Sequence, residues 1–427
     1  MRTLLILLAT TAVAQRSPQT HPSHTTENLR GASTVSQTIA WASGTHGTYL
    51  LTTDAGRTWT PAQVPDAAAL DFRAVVAFSA SEAFLMSAGP GDQSRIYHTA
   101  DAGQHWQLQF TNTNPKGFFD SMVFWDPTHG IVLGDPIPDE TGKDTGKLKF
   151  ELLITSDGQT WTPIPPDQLP PAIQGEAAFA ASNSCLAILS RTTMIANSKT
   201  SVIPSAHTLA IPSEARDLGF ASATHGAGPN STAPTLLWKS GASALDQSSE
   251  KEAASAPDPN IWFATGGRAA RVFHSPDRGQ TWQVFDTPIL HGPDSAGIFS
   301  IVFRDPTHGV IAGGDYKHPT QDGPNLAFTN DGGKTWNVSQ IFPQSYYSAV
   351  AYDRGRRNPK AQDFAENQAH VRLFLVGPKF IYDFRPPRNP TRISPPKKSG
   401  LQFNALSPYP TGGALVVGPK GSIAIIP

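Results

Sequence analysis

Asp126 and His129 stand three residues apart in DPTHG (126–130), and Asp305 and His308 repeat the arrangement in a second DPTHG (305–309). An acid beside an imidazole can do general acid–base chemistry. The same letters also make a turn: Asp-Pro starts it, and Gly130 and Gly309 can take a left-handed position. The flanks match as well, FFDSMVFWDPTHGIVLGDP against GIFSIVFRDPTHGVIAGGDY. A duplicated structural unit accounts for that better than a duplicated reaction, so both histidines read as turn residues. Each copy runs on to a Gly-Asp pair, Gly134-Asp135 and Gly314-Asp315, which opens a long polar loop. Three roles are open to Asp135 and Asp315. They could cap local turns, contact a ligand or partner, or face each other across a pore as the carboxylate pair of a glycoside hydrolase. Asp135, Asp139 and Glu140 carry no ordered calcium-ligand spacing, so no metal is expected.

A second motif places these residues on a scaffold. TTDAGRTW (52–59), TADAGQHW (99–106), SPDRGQTW (275–282) and TNDGGKTW (329–336) share the pattern Ser/Thr-x-Asp-x-Gly-x-Thr-Trp, and TSDGQTW (155–161) is a shortened copy. Asp and Ser/Thr side chains hydrogen-bond the backbone of their own turn, and glycine takes positive φ without strain. The motif is therefore structural. Its members are Asp54, Gly56 and Trp59; Asp101, Gly103 and Trp106; Asp157 and Trp161; Asp277, Gly279 and Trp282; and Asp331, Gly333 and Trp336.

Each copy sits between the third and fourth of four short apolar runs, here lettered a to d. FRAVVAFS, EAFLMSAG, RIYHTAD and HWQLQF are one such set. Seven units can be read, the last two without the motif and the final one without run d. Four-stranded sheets repeated about an axis predict an all-β, seven-bladed β-propeller, or eight blades if the segment 190–259 forms one. A piece of the N-terminal leader could supply the missing strand. The a–b and c–d turns share one face, so DPTHG and the motif turns lie together. The b–c and d–a loops share the other, where a rigid scaffold keeps its binding residues. The candidates there are Asp135, Asp139, Glu140, Asp315, Tyr316, Lys317, His318, Arg95, Lys116, Arg268, Arg271, His291 and Asp294.

Bulk properties narrow the function. With 33 Lys+Arg against 34 Asp+Glu there is no basic field for a nucleic acid. MRTLLILLATTAVAQ reads as a signal peptide cleaved after Ala14, too short to span a membrane, followed by a flexible leader at 15–28. A secreted or periplasmic monomer is expected, formed by one domain from residue 29 to 427. The 190–259 stretch, rich in Ser, Ala, Pro and Thr, reads as a low-complexity insertion inside blade 4. The single cysteine, Cys185, allows no internal disulfide and reads as a small core residue. No dinucleotide fingerprint, P-loop or haem motif is present, so no cofactor is expected.

The motif and its blade order resemble the Asp-box, or BNR-repeat, β-propellers. The likeness is greatest to exported seven-bladed propellers related to the photosystem II stability and assembly factor. That resemblance implies a binding or assembly scaffold with a protein or glycan partner in the cell envelope. Sialidases share the box, but their Arg-Ile-Pro or Arg-Leu-Pro motif is missing before the first copy. The alternative reading is a carbohydrate-active hydrolase using carboxylates of the same face.

Overall fold

The computed structural model describes residues 18–140, 146–189, 260–340, 342, 345–353, 372–378, 380–384, 390–393 and 402–427. The expected signal peptide, residues 1–14, and the 190–259 segment lie outside them. The described residues form seven antiparallel sheets. Blade 1 is Leu29–Thr34, Ala40–Gly44, Thr48–Thr52 and Thr60–Gln63. Blade 2 is Phe72–Ala77, Ala83–Ser87, Arg95–Thr99 and Gln107–Thr111. Blade 3 is Phe119–Asp126, His129–Pro138, Leu148–Thr155 and Thr162–Pro163. Blade 4 is Leu186–Ile188, Ile261–Ala264, Arg271–Ser275 and Gln283–Asp286. Blade 5 is Ala296–Phe303, Gly309–Asp315, Leu326–Thr329 and Asn337–Val338, extended by Gly266–Gly267 and Glu176–Ala177. Blade 6 is Ala349–Tyr352, Leu373–Gly377, Phe380–Phe384 and Thr391–Ile393. Blade 7 takes Ala405–Pro408, Ala414–Gly418 and Ser422–Ile426 from the C-terminal side. Its fourth strand is Gln19–Thr20, paired with Ile425 and Ala424, so the leader closes the ring.

The second strands are buried on both sides, as in Ala83–Ser87 and Ala414–Gly418. That is why they read as unbroken apolar runs: each is sandwiched between neighbouring blades, whereas the polar fourth strands face solvent. The first strands of successive blades touch one another all the way round, blade 7 meeting blade 1, and so form the inner wall.

In the c–d turns, the Thr52 hydroxyl accepts from the Gly56 amide (3.0 Å) and donates to Asp54 (2.9 Å), and Asp54 accepts from the Thr58 amide and hydroxyl (2.9 and 2.6 Å). The Thr58 hydroxyl and amide hold the Asp54 carboxyl down to about 2, and the His105 amide and imidazole do the same for Asp101. Asp277 and Asp331 repeat the network, and Asp157 closes a turn one residue shorter. Trp59, Trp161, Trp282 and Trp336 are buried beneath these turns, while Trp106 is half-buried and meets Trp41 edge-on.

Asp126 and Asp305 each cap their own DPTHG turn. Asp126 accepts from the Thr128 and His129 amides (2.9 and 3.0 Å) and holds the His129 ring. Asp305 does the same with Thr307 and His308. The glycines differ from expectation: Gly130 and Gly309 are not left-handed but lie in or at the start of the b strand. They are small because a ring lies against them. A Cβ on Gly130 would fall 2.6 Å from Phe124, and one on Gly309 2.7 Å from Phe303. Phe124 is wedged against Phe84 and Trp161 and has nowhere to move. Gly130→Ala is expected to destabilise by about 1–3 kcal/mol in denaturant titration, with the fold retained.

Candidate functional site

At or near the start of six first strands stands the same triplet, an apolar residue, a variable one and a small one. The triplets are Leu29-Arg30-Gly31, Phe72-Arg73-Ala74, Phe119-Asp120-Ser121, Ile298-Phe299-Ser300, Tyr347-Ser348-Ala349 and Phe403-Asn404-Ala405. The apolar member is buried between blades in every case. In blades 1, 2, 3 and 5 the pairing register skips the middle residue. Such a β-bulge bends the strand and re-aims the extra side chain. Because these strands form the inner wall, Arg30, Arg73, Asp120 and Phe299 gather at the axis, at the end away from the motif turns.

The linker between blades 3 and 4 lies across this axis. The Phe179 ring stacks on Phe299 of blade 5 with centroids 4.0 Å apart. Arg73 Nη1 of blade 2 donates to the Ala180 carbonyl (3.4 Å), and the Ser182 hydroxyl donates to the Ser348 carbonyl beside blade 6 (2.8 Å). Asn183 Oδ1 accepts from the Met122 amide of blade 3 (2.7 Å). Ser184 offers its carbonyl to the Ile301 amide (2.7 Å).

Above the linker, Arg73 and Arg30 share Asp71 at 2.9 and 3.6 Å. Both arginine side chains are 25% exposed, so they are not sealed from a ligand. Burial, only partly offset by Asp71, pulls the Arg30 guanidinium below its ordinary value. Arg73 lies over the Phe118 ring at 5.8 Å. On the opposite rim Phe299 meets Tyr346 edge-on at 4.8 Å and Tyr316 at 6.1 Å, and Tyr316 is 49% exposed. Two guanidiniums against one carboxylate, beside an aromatic wall, suit an anionic group on a chain that also presents an apolar surface.

The predicted residues separate. Asp315 is buried in its own loop, accepting from the Lys317 amide (2.9 Å) and holding His318 (2.8 Å). Asp135 accepts from the Ala178 amide of the linker (3.0 Å), and burial pushes its carboxyl up to about 6. Each carboxylate is thus engaged by neighbouring backbone. Arg271 is not in the loop but buried against Glu176 at 2.5 Å. Asp139 is buried, its amide bonded to the Lys147 carbonyl. Arg95 is half-buried and bonded to the Asp92 carbonyl (2.6 Å). Glu140, Lys116, Arg268, His291, Asp294, Lys317 and His318 are exposed. Of the predicted residues, Tyr316 joins the axial aromatic wall and Asp135 holds the linker that crosses the axis. Arg30, Asp71, Arg73, Phe299 and Tyr346 were missed, although the apolar–variable–small triplet that marks most of them was visible.

No family model matches the sequence, and no curated protein matches it. Solved structures do. "YCF48 bound to D1 peptide" is similar with a TM-score of 0.57 and 13% identity, covering 97% of this chain and 96% of that one. YCF48 from Cyanidioschyzon merolae gives 0.53 and 15%, covering 96% and 98%. The WD40 β-propeller domain of Doa1 gives 0.51 and 8%, covering 96% of each. The likeness is one of fold. Among the described residues no helix is long and apolar enough to cross a membrane.

Proposed function

We propose that this chain is an exported Asp-box propeller that serves as a binding and assembly scaffold, taking a peptide segment of a protein partner on the face opposite its motif turns. The observation that carries the reading is the axial group: Arg30 and Arg73 over a single Asp71, beside Tyr316 and Tyr346, on a linker-sealed floor. Propellers use such loop-rimmed centres because the blades hold them rigid at no further ordering cost. Similarity in fold to a propeller whose structure holds a peptide supports the same ligand class. The signal sequence supports an envelope location.

The test is a peptide array probed with the chain from residue 15 onward. Retained peptides are expected to be enriched in carboxylate-bearing and aromatic residues. Arg30→Ala/Arg73→Ala is expected to weaken binding at least about tenfold, roughly 1.4 kcal/mol, with the fold intact by circular dichroism. Retention unaffected by that change would refute the site. A glycan panel run beside it covers the hydrolase alternative, which requires cleavage that Asp135→Ala/Asp315→Ala abolishes.

A further inference from the structure

We propose that Asp120 and Asp135 bind one proton between them, that this proton locks the linker 178–184 across the axis, and that its loss releases the linker. The geometry is specific to blade 3. Asp120 is the bulge residue between the pairs Phe119↔Gly134 and Ser121↔Leu133, and Asp135 follows Gly134 on the neighbouring strand. The bulge therefore brings two carboxylates to one end of one hairpin. Both face the same segment: Asp135 accepts the Ala178 amide at 3.0 Å, and the Ala180 amide lies toward Asp120 and lowers its carboxyl.

Asp120 is 1% exposed, and its Oδ2 has no hydrogen-bond partner among the described residues. A buried carboxylate oxygen in that position is stable when it carries a proton, and a second, half-buried carboxylate at the same end of the hairpin disfavours charging both. Burial, and after it the Asp135 charge, push the Asp120 carboxyl well above the usual range.

One positive charge faces the pair and does not outweigh burial. From blade 2, Arg73 draws the Asp120 carboxyl down by less than burial and the Asp135 charge push it up, and its Nε is bonded to Asp71. From blade 4, Cys185 is fully buried, and burial, then Asp120, push its thiol up, so it stays neutral. On the third strand of blade 3, Glu151 lies opposite Gly134 and is bonded to Asn112 at 2.7 Å. The linker itself, Ala-Phe-Ala-Ala-Ser-Asn-Ser, has no titratable side chain.

The sign follows from linkage. The pair's folded-state affinity for a proton exceeds that of an unfolded aspartate near 4, so the stabilisation is full below pH ~4. Asp135, which burial brings to about 6, loses its proton first, and the stabilisation is lost as pH rises above that, through the higher range to which burial and the Asp135 charge push Asp120. Above that point the locked state weakens by up to about tenfold per pH unit.

Hydrogen exchange on the intact chain, corrected for the intrinsic pH dependence of exchange, tests this. Protection of amides 178–184 is expected to fall at least about tenfold from pH 5 to pH 8, with the second strands unchanged. Asp120→Asn/Asp135→Asn keeps an acceptor oxygen at each position and removes both titrating groups, so its protection is expected to be the same at both pH values. Unchanged wild-type protection, or an Asp120→Asn/Asp135→Asn variant that keeps the wild-type pH dependence, overturns the proposal. Should the variant not fold, carboxyl-carbon NMR of the wild type decides: one of the two carboxylates titrating above pH 5 is expected, and both titrating below pH 4.5 overturns it.

Discussion

Trp262→Ala is expected to lower the unfolding free energy by about 3–5 kcal/mol in guanidinium titration. The side chain is fully buried between blades 4 and 5. Its indole stacks on Phe303 with centroids 3.8 Å apart and on His274 at 4.9 Å, and its Nε1 donates to the Gly332 carbonyl in the blade 5 motif turn at 2.8 Å. Truncation therefore opens a cavity that two sheets cannot close without shifting their mutual packing, and it leaves a buried carbonyl unpaired. Trp106→Ala supplies the contrast. That ring is half-buried beside Trp41 and Tyr49, so a smaller loss is expected in the same titration. Equal losses would mean that the contact between blades 4 and 5 contributes no more than a turn cover.

Glu176→Ala is expected to cost about 3–5 kcal/mol, because it strands a buried guanidinium. Glu176 Oε1 accepts from the Thr265 hydroxyl (2.6 Å) and Arg271 Nε (3.0 Å), and Oε2 from Arg271 Nη2 (2.5 Å) and the Ile173 amide (2.8 Å). Four donors converge on one carboxylate whose side chain is 0% exposed. Glu176→Gln keeps the acceptor oxygen and is expected to lose less. Glu176→Ala/Arg271→Met removes both charges and is expected to recover much of the loss, since an apolar pair can replace a buried ion pair. Thermal and denaturant melts of the three variants check the order. A double variant no better than Glu176→Ala would place the energy in the hydrogen bonds rather than the charge.

Much of the architecture was legible along the chain. The turn motif has local causes: Thr52, Asp54, Gly56 and Thr58 satisfy one another within seven residues, so the pattern carries its own geometry. The spacing of apolar runs then required four-stranded blades, and the missing run in the last unit required a strand from elsewhere. Gly130 and Gly309 show the limit of such local reading. Their letters fit a turn, but the reason for glycine is a phenylalanine across the strand pair, which no turn rule contains. Arg271 shows it again: a cation beside a loop read as a surface group, while its partner Glu176 lies 95 residues away in sequence.

Sequence alone determined that this is an all-β repeat protein with its motif turns on one face, because both properties depend on contacts within a few residues. Only the tertiary structure decided what stands at the axis. Arg30, Arg73, Asp120 and Phe299 are each ordinary within their own blades and meet only when the ring closes. The linker that seals the centre comes from between blades 3 and 4 but is held by blades 2, 3, 5 and 6. Its role follows from closure, a condition on all seven sheets at once, so no single segment could reveal it.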